Sequence, residues 1–265
     1  MSFPNVIYGD YGDEKVAQSA AIGNLPLGKL MILPDGTKCH LARCGSAASL
    51  LAGQLTSTLA EVAGHGNVSG SGLLASVTTT YNAVGDTSVI LLSQSAAITK
   101  DQYAGGLLNV LGPAASTYIG HVYRIKGNLS CAVSAKATIT LETNDPLKVA
   151  FKAGSTLCSL RKSPYADQVV FDGATVVAPP MGATPVAVST SFYYWAVTRG
   201  LASLLQSATV VVTGGPIQPA VSAAGSVTTV AATAGTAGGY GPHAIGFALG
   251  AAAASQAVLC YLTLE

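Results

Sequence analysis

The spacing of turn-forming residues constrains this fold more than any other feature of the sequence. Turn sequences such as Pro34-Asp35-Gly36 and Asp172-Gly173 recur about every 8 to 12 residues, and the segments between them are rich in Thr, Val and Gly. No segment keeps a helical period over about 12 residues or more. We therefore predict a mainly β fold of sandwich or barrel type, built from antiparallel strands, with an extended N-terminal arm and few short helices.

Several strands can be placed individually. The segments GKLMIL and TKCHLARC flank Pro34-Asp35-Gly36 and predict a hairpin. A second hairpin is predicted from ASVTTTY and TSVILLS, with its turn at Gly85-Asp86. QYAGGLLNVL and STYIGHVYRIKG predict another pair, and AKATITLET alternates Thr with aliphatic residues as a half-buried strand does. We interpret SAASLLAGQL as a short helix.

The apolar stretch from residue 244 to residue 264 approaches the length that spans a membrane. Ser255 and Gln256 interrupt it, however, and no basic residues flank it. Two strands, IGFAL and AVLCYLTL, joined by small residues explain the stretch better. No membrane partner is therefore expected.

The chain of 265 residues is long enough for one large β domain or two small ones. We predict an extended N-terminal arm over residues 1–22, a β domain over 23–180 and a C-terminal β region over 181–265. The prolines of VVAPPMGATPVAVST suggest the last boundary. The C-terminal region is either part of the same domain or a second small one.

Charge is unusually sparse. Asp, Glu, Lys and Arg make up 9% of the chain, against about 25% in ordinary soluble domains. The net charge is +1, so repulsion between copies is weak and association is not opposed. Either neighbouring subunits cover much of the surface or uncharged polar groups keep it wet, and we favour the first. The basic residues are scattered among acidic ones, so no nucleic acid partner is expected.

The five cysteines show no repeated close spacing. The first residues, MSFPNVIYGDYGDEK, have neither the basic region nor the apolar region of a secretory signal. We therefore expect a protein made in the cytoplasm, with reduced thiols.

Three local patterns resemble ligand sites, and we expect none of them to work as one. Residues 23–29 match the start of a P-loop, but Leu30 stands where magnesium binding needs Ser or Thr. Cys39, His40 and Cys44 lack the further ligands of a zinc site, and on a strand Cys39 and His40 point to opposite faces. The acidic residues Asp10, Asp13 and Glu14 lack the pattern of a calcium loop. We expect no cofactor and no metal.

A catalytic constellation is equally hard to find. There is no G-x-S-x-G motif, and the histidines are far apart in sequence: His40, His65, His121 and His243. We therefore expect a protein that is not an enzyme.

The aromatic run Phe192-Tyr193-Tyr194-Trp195 is the most informative local feature. On a strand, Tyr193 and Trp195 share one face while Phe192 and Tyr194 share the other, so both faces would be covered. The run is either a central core strand or an aromatic anchor at a subunit interface. Our candidate interface residues are Phe192, Tyr193, Tyr194, Trp195, Tyr8 and Tyr11.

The C-terminal part resembles structural proteins of tailed bacteriophages. The resemblance rests on SFYYWAVTRGLASLL, TVVVTGGPIQPAVSAAGSVTTV and HAIGFALGAAAASQAVLCYLTL, and in the middle of the chain on AGGLLNVLGPAASTYIGHVYRIKGN. It covers about half the chain. It implies a capsid decoration (cement) protein on the outer shell of the virion, commonly a homotrimer, whose partners are the major capsid protein and its own copies.

Alternatives to a decoration protein stay open at this stage. One is a major capsid or tail protein, although the long spine helix of the common capsid fold cannot be read in the sequence. Another is a carbohydrate-binding or receptor-binding module that presents exposed aromatic residues such as Tyr193 or Trp195.

Overall fold

The chain folds almost entirely into β structure, which confirms the predicted mainly β, sandwich-like class. The computed structural model describes residues 6–22, 25–59, 73–74, 83–91, 96–112, 120–133, 135–151, 157–174, 178–207, 211–230, 244–251, 253 and 256–265. Within these ranges the helical structure is limited to a short 3-10 turn, Asp13–Lys15, and to the single residue Ile22. None of the helices in the described residues is long and apolar enough to cross a membrane.

Two compact units make up the chain. The larger unit comprises Met1–Ala60 and Pro164–Glu265, and the inserted unit comprises Glu61–Ser163. The units meet after residue 60 and after residue 163, whereas the predicted boundaries are at residues 22 and 180. A long insertion between two strands of one sheet leaves no compositional mark, and so the pairing of distant segments could not be read from the sequence.

In the larger unit, the residues that the structure describes form one sheet of twelve strands. In chain order they are β1 (Val6–Tyr8), β2 (Ala17–Gln18), β3 (Leu30–Ile32), β4 (Lys38–Arg43), β5 (Leu55–Ser57), β12 (Val169–Val170), β13 (Pro180–Ala183), β14 (Tyr193–Leu205), β15 (Pro216–Pro219), β16 (Val227–Thr229), β17 (Gly246–Ala248) and β18 (Ala257–Thr263). The main path runs β1-β3-β4-β14-β18-β17-β15-β16, while β2, β5, β12 and β13 pair off this path.

The described part of the inserted unit forms a separate sheet of six strands. They are β6 (Leu73–Leu74), β7 (Ser88–Leu91), β8 (Leu107–Gly112), β9 (Val122–Asn128), β10 (Ala137–Leu141) and β11 (Leu157–Arg161). Their order in the sheet is β6-β11-β8-β9-β10-β7. Its core includes the buried rings of Tyr103 and Tyr123. The Asn128 side chain accepts from the Tyr103 backbone N–H at 2.9 Å and so satisfies a buried polar group.

Several predicted strands appear where the sequence placed them. β3 and β4 form the antiparallel hairpin around Pro34-Asp35-Gly36. Strands β8 and β9 pair antiparallel, and β10 alternates as AKATITLET predicts. β17 and β18 pair antiparallel in the C-terminal apolar stretch. For the hairpin at Gly85-Asp86 only the second strand, β7, can be assigned, because residues 75–81 lie outside the described residues.

The short helix predicted from SAASLLAGQL is wrong. Leu50 instead forms an antiparallel bridge with Val188, with backbone bonds of 2.8 Å in both directions. Gly53 has a φ of +78°, which ends any regular helical path. Leu50 and Leu55 are the buried apolar residues of this segment, while Leu51 is exposed, and the two buried residues contact the sheet through strand-like pairing rather than from one face of a helix.

The described part of the N-terminal arm is docked on the larger sheet. β1 runs parallel to β3, and β2 pairs antiparallel with Tyr193 and Tyr194 at the start of β14. Between them, Glu14 is buried to 9% exposure and accepts from the Gly12 backbone N–H. The arm is therefore held by main-chain pairing as well as by side chains.

Candidate interaction surface

The thirteen-residue strand β14 organises the larger unit. Two buried apolar clusters lie on its two faces, and we call the larger one the main core. In the first half of the strand, Trp195 and Val197 face the main core. Tyr194 and Ala196 face the smaller cluster, which also contains Ala42. Both faces are covered, as the alternation of the aromatic run predicts. β-Branched and aromatic residues suit a strand that is buried on both sides.

A bulge at Thr198 and Arg199 then changes the alternation of β14. The register against β4 shifts between Val197 and Arg199. After the bulge, Ala202 and Leu204 are the residues that face the main core. The extra residue therefore keeps one face of β14 on the core along its whole length.

The other face, which we call the outer face, is covered in the first half of β14 and uncovered in the second. Leu201 lies directly opposite Tyr261 of β18, and Tyr261 lies directly opposite Phe247 of β17. All three are exposed. Pro216 of β15 pairs with Phe247 and extends the row to a fourth strand. An apolar row thus crosses four neighbouring strands on the solvent side.

A second apolar row lies one step along the same strands. Leu259 of β18 is 49% exposed and pairs with Ser203 of β14. The backbone N–H of Leu249 donates to the Leu259 carbonyl at 2.8 Å, and the Leu249 side chain is exposed. We call the surface formed by Leu201, Phe247, Leu249, Leu259 and Tyr261 the apolar face.

The apolar face carries no charge in its strands. Residues 201–205, 216–219, 246–248 and 257–263 contain no Asp, Glu, Lys or Arg, and Arg199 lies at one end. From strand spacings of about 4.8 Å and a rise of about 3.3 Å per residue, the face covers roughly 300–400 Å². Apolar patches of this size on a monomer are often binding sites.

A groove of about 240 Å³ adjoins this face. Leu201, Ser203 and Leu259 line it together with residues that include Tyr11, Glu14 and Asp35. Tyr11 is 68% exposed. The groove therefore extends the apolar face towards the N-terminal arm and gives it a partly polar margin.

A polar cluster separates the covered and uncovered halves of the outer face. The Glu265 side chain accepts from Thr198 Oγ1 at 2.9 Å and lies 3.4 Å from Lys38 Nζ. Nε2 of His40 contacts the same carboxylate, and Nδ1 of His40 lies 2.9 Å from the Gly28 carbonyl oxygen. Both ring nitrogens of His40 therefore lie beside oxygen acceptors.

The surroundings of Glu265 act on its acidity in opposite directions. Burial alone would raise the pKa of the carboxyl group. The hydrogen bond from Thr198 and the interactions with His40 and Lys38 outweigh burial, so the pKa is lowered from its ordinary value near 4.5. The Tyr165 ring stacks on His40 with centroids 4.7 Å apart and fixes the ring plane. The cluster therefore joins β4, β14 and the residues after β18.

The candidate interface residues fall into two groups. Tyr194 and Trp195 are buried, at 0% and 5% exposure, and Phe192 and Tyr193 are partly buried against the two clusters. Tyr8 and Tyr11 are exposed. The structure thus places Tyr11 in the groove beside the apolar face, and it packs the aromatic run into the two apolar clusters.

The residues of the apolar face were not singled out from the sequence. A signal was present, because AVLCYLTL alternates and places Leu259 and Tyr261 on the side opposite Val258, Cys260 and Leu262. Both sets are apolar, however, so the pattern does not say which side is exposed. The polar cluster was missed for a different reason, since residues 38–40, 198 and 265 meet only through sheet pairing.

The three ligand-like patterns occupy ordinary structural positions. Cys39 is buried in the main core while His40 is on the outer face, and Cys44 is a free, buried thiol. β3 begins directly after Lys29, where a P-loop needs a helix, and residues 23–24 lie outside the described residues. Among the described residues, no group of His, Cys, Asp and Glu has the arrangement of a metal site.

The acidic N-terminal residues accept hydrogen bonds from backbone N–H groups of their own turn. The Asp10 backbone N–H donates to Asp13 Oδ2 at 2.9 Å, and the Gly12 backbone N–H donates to Glu14 Oε2 at 2.8 Å. His40 and His121 belong to different units, and His65 and His243 lie outside the described residues.

Comparison with known proteins adds no relative. No family model, no curated protein and no solved structure matches the chain. The candidate function therefore depends on the residues and their geometry.

Proposed function

We propose that this chain is a non-catalytic structural protein of a virus particle, which binds the outer shell as a decoration protein and stabilises it by contact alone. The observation that carries the proposal is the uncharged apolar face on β14, β17 and β18. An exposed apolar sheet face is stabilised when a partner removes it from water, at about 25 cal/mol per Å².

The composition supports the same proposal. Charged residues at 9% and a net charge of +1 suit a protein that works within an assembly rather than free in solution. The resemblance of the C-terminal segments to tailed-phage proteins supports a virion in particular. The shell protein and further copies of the chain are the proposed partners. The resemblance implies a trimer, and the mass of the free chain in solution decides between a trimer and a two-fold pair.

A sugar-binding platform built on Trp195 is not favoured, because the Trp195 side chain is 5% exposed and Tyr193 is packed against the main core. The stacking surface that a sugar ring needs is therefore occupied by protein. The exposed aromatic residues are Tyr8, Tyr11, Phe247 and Tyr261 among those described. Phe247 and Tyr261 are part of the apolar face.

Electron microscopy with an antibody against the purified chain tests the proposal. Virus particles prepared from the source organism should carry the label evenly over intact shells. Label confined to tails would favour a tail protein instead, and label accessible only in broken shells would exclude a decoration protein. Recovery of the chain only outside particles would overturn the virion assignment.

A further inference from the structure

We propose that the apolar face is a self-association surface, on which two copies of this chain pack face to face around a two-fold axis beside Tyr261. This inference rests on the proposed function, in which a partner removes the apolar face from water, and it assigns contact with the shell to another surface of the paired chains. It names the occupant of the face as a second copy of the same chain.

The shape and charge of the face favour its own copy. A two-fold contact requires a surface that is complementary to itself, and two-fold dimers are the commonest assemblies. Like charges facing each other would oppose such a contact, and the five residues of the apolar face carry none, since Arg199 of β14 lies at its edge. A flat sheet face also packs well on another sheet face, at a spacing of about 10 Å with strands nearly aligned.

The order of residues in the row is also compatible with a two-fold axis. Tyr261 lies in the middle, with Leu201 on one neighbouring strand and Phe247 on the other. Consider a two-fold axis that lies midway between the two packed sheets and runs parallel to the strands at Tyr261. Rotation about this axis places Leu201 of one copy opposite Phe247 of the other. At the centre of the row, the two Tyr261 side chains then meet at the axis, and Leu201 meets Phe247 on each side of it.

The area is sufficient for the centre of a stable pair. Specific interfaces bury about 800 Å² on each partner, with an apolar centre and a more polar rim. The apolar face supplies roughly 300–400 Å² of this. Around it, Arg199 and Thr263 at one end and the groove beside Tyr11 supply polar groups for the rim.

Sedimentation velocity of the full chain tests the inference with a matched pair of variants. Leu259→Lys places a charge in the centre of the contact, and burial of an unpaired charge is costly. Val122→Lys places the same charge on the inserted unit, at a side chain that is 50% exposed against 49% for Leu259. We expect a dimer for the unaltered chain and for Val122→Lys, and a loss of dimer affinity of about 100-fold or more for Leu259→Lys.

Cross-linking gives a second measurement that does not depend on the tolerance of a charge. Tyr261→Cys lies beside the axis, where facing Cα atoms on sheets about 10 Å apart are too distant for a disulfide but within reach of a short thiol-specific cross-linker. This reagent should link two copies of Tyr261→Cys, whereas it should not link Val122→Cys or the unaltered chain. Circular dichroism and thermal melting should show that each variant is folded. A monomeric or trimeric unaltered chain, or a dimer that Leu259→Lys leaves intact, would overturn the inference.

Failure of the inference can be distinguished from failure of the proposed function. If the unaltered chain is monomeric and Leu259→Lys abolishes its binding to shells, the face binds the shell, and only the inference is wrong. If the chain dimerises through this face but is absent from particles, the inference stands and the virion assignment is wrong.

Discussion

His40 Nε2 contacts the side-chain carboxylate of Glu265, at the line where the covered half of the outer face ends and the apolar face begins. His40 comes from β4, in the first hairpin, and Glu265 follows the last strand. This contact, with those of Thr198 and Lys38, therefore fixes the end of β18 beside β14. A charged group here also marks the limit of the surface available for apolar contact.

Glu265→Gln should lower the free energy of unfolding at pH 7 by about 0.5–1 kcal/mol, a modest figure because the pair is partly exposed to solvent. The folded state lowers the pKa of Glu265, so its stabilisation is present above the ordinary value near 4.5 and is lost as the pH falls through the lower folded value. Urea denaturation of both proteins between pH 7 and pH 3 should show the difference shrinking below about pH 4.5. A difference that persists unchanged at pH 3 would contradict this assignment.

Gly200→Ala should destabilise the larger unit by about 1–3 kcal/mol or more. Gly200 has a φ of +103°, and a Cβ atom there would lie 2.5 Å from Thr37 Oγ1 and 2.8 Å from Thr37 Cα. Gly214→Ala is the control, because its φ of +79° is also positive but no atom lies within 4 Å. In chemical denaturation, Gly200→Ala should lower the free energy of unfolding more than Gly214→Ala does. An equal loss for the two variants would show that the contact with Thr37 is not the cause.

The sequence predicted the β class, the hairpin of β3 and β4, and the two faces of the aromatic run, because these depend on neighbours within one segment. It could not predict which outer positions stay uncovered. Successive side chains of β14 point to opposite faces both before and after its bulge. Only the path of other segments decides that Tyr194 is buried and Leu201 is exposed. The joining of residue 40 to residue 265 depends on long-range pairing, which leaves no local pattern.

Trp195→Ala should lower the free energy of unfolding by about 3–5 kcal/mol, since the side chain is buried in the main core. Tyr11→Ala should change it by less than about 0.5 kcal/mol, because Tyr11 is exposed. Equilibrium denaturation followed by circular dichroism measures both. A folded Trp195→Ala subunit of normal stability that no longer associates would instead make Trp195 an interface anchor.

The thiols should react in a fixed order with a disulfide reagent at pH 8. Burial raises the pKa of Cys39 and Cys158 to about 12 and that of Cys260 to about 11, and it also raises the pKa of Cys44. Cys131 is only partly buried. We expect Cys131 to react first and the other four to react only on unfolding, because the thiolate is the reactive form. Rapid reaction of a second thiol in the native protein would show that one of these cores is open.

The central claim is that this protein associates through apolar contact, and the effect of salt on association tests it most directly. Screening at high ionic strength weakens interactions between exposed charges, whereas apolar burial is maintained. Light scattering should therefore give the same oligomer mass, and a dissociation constant that is unchanged or lower, from about 0.05 M to about 1 M sodium chloride. Dissociation as the salt is raised would show that the few charged residues hold the contact, and would contradict the account.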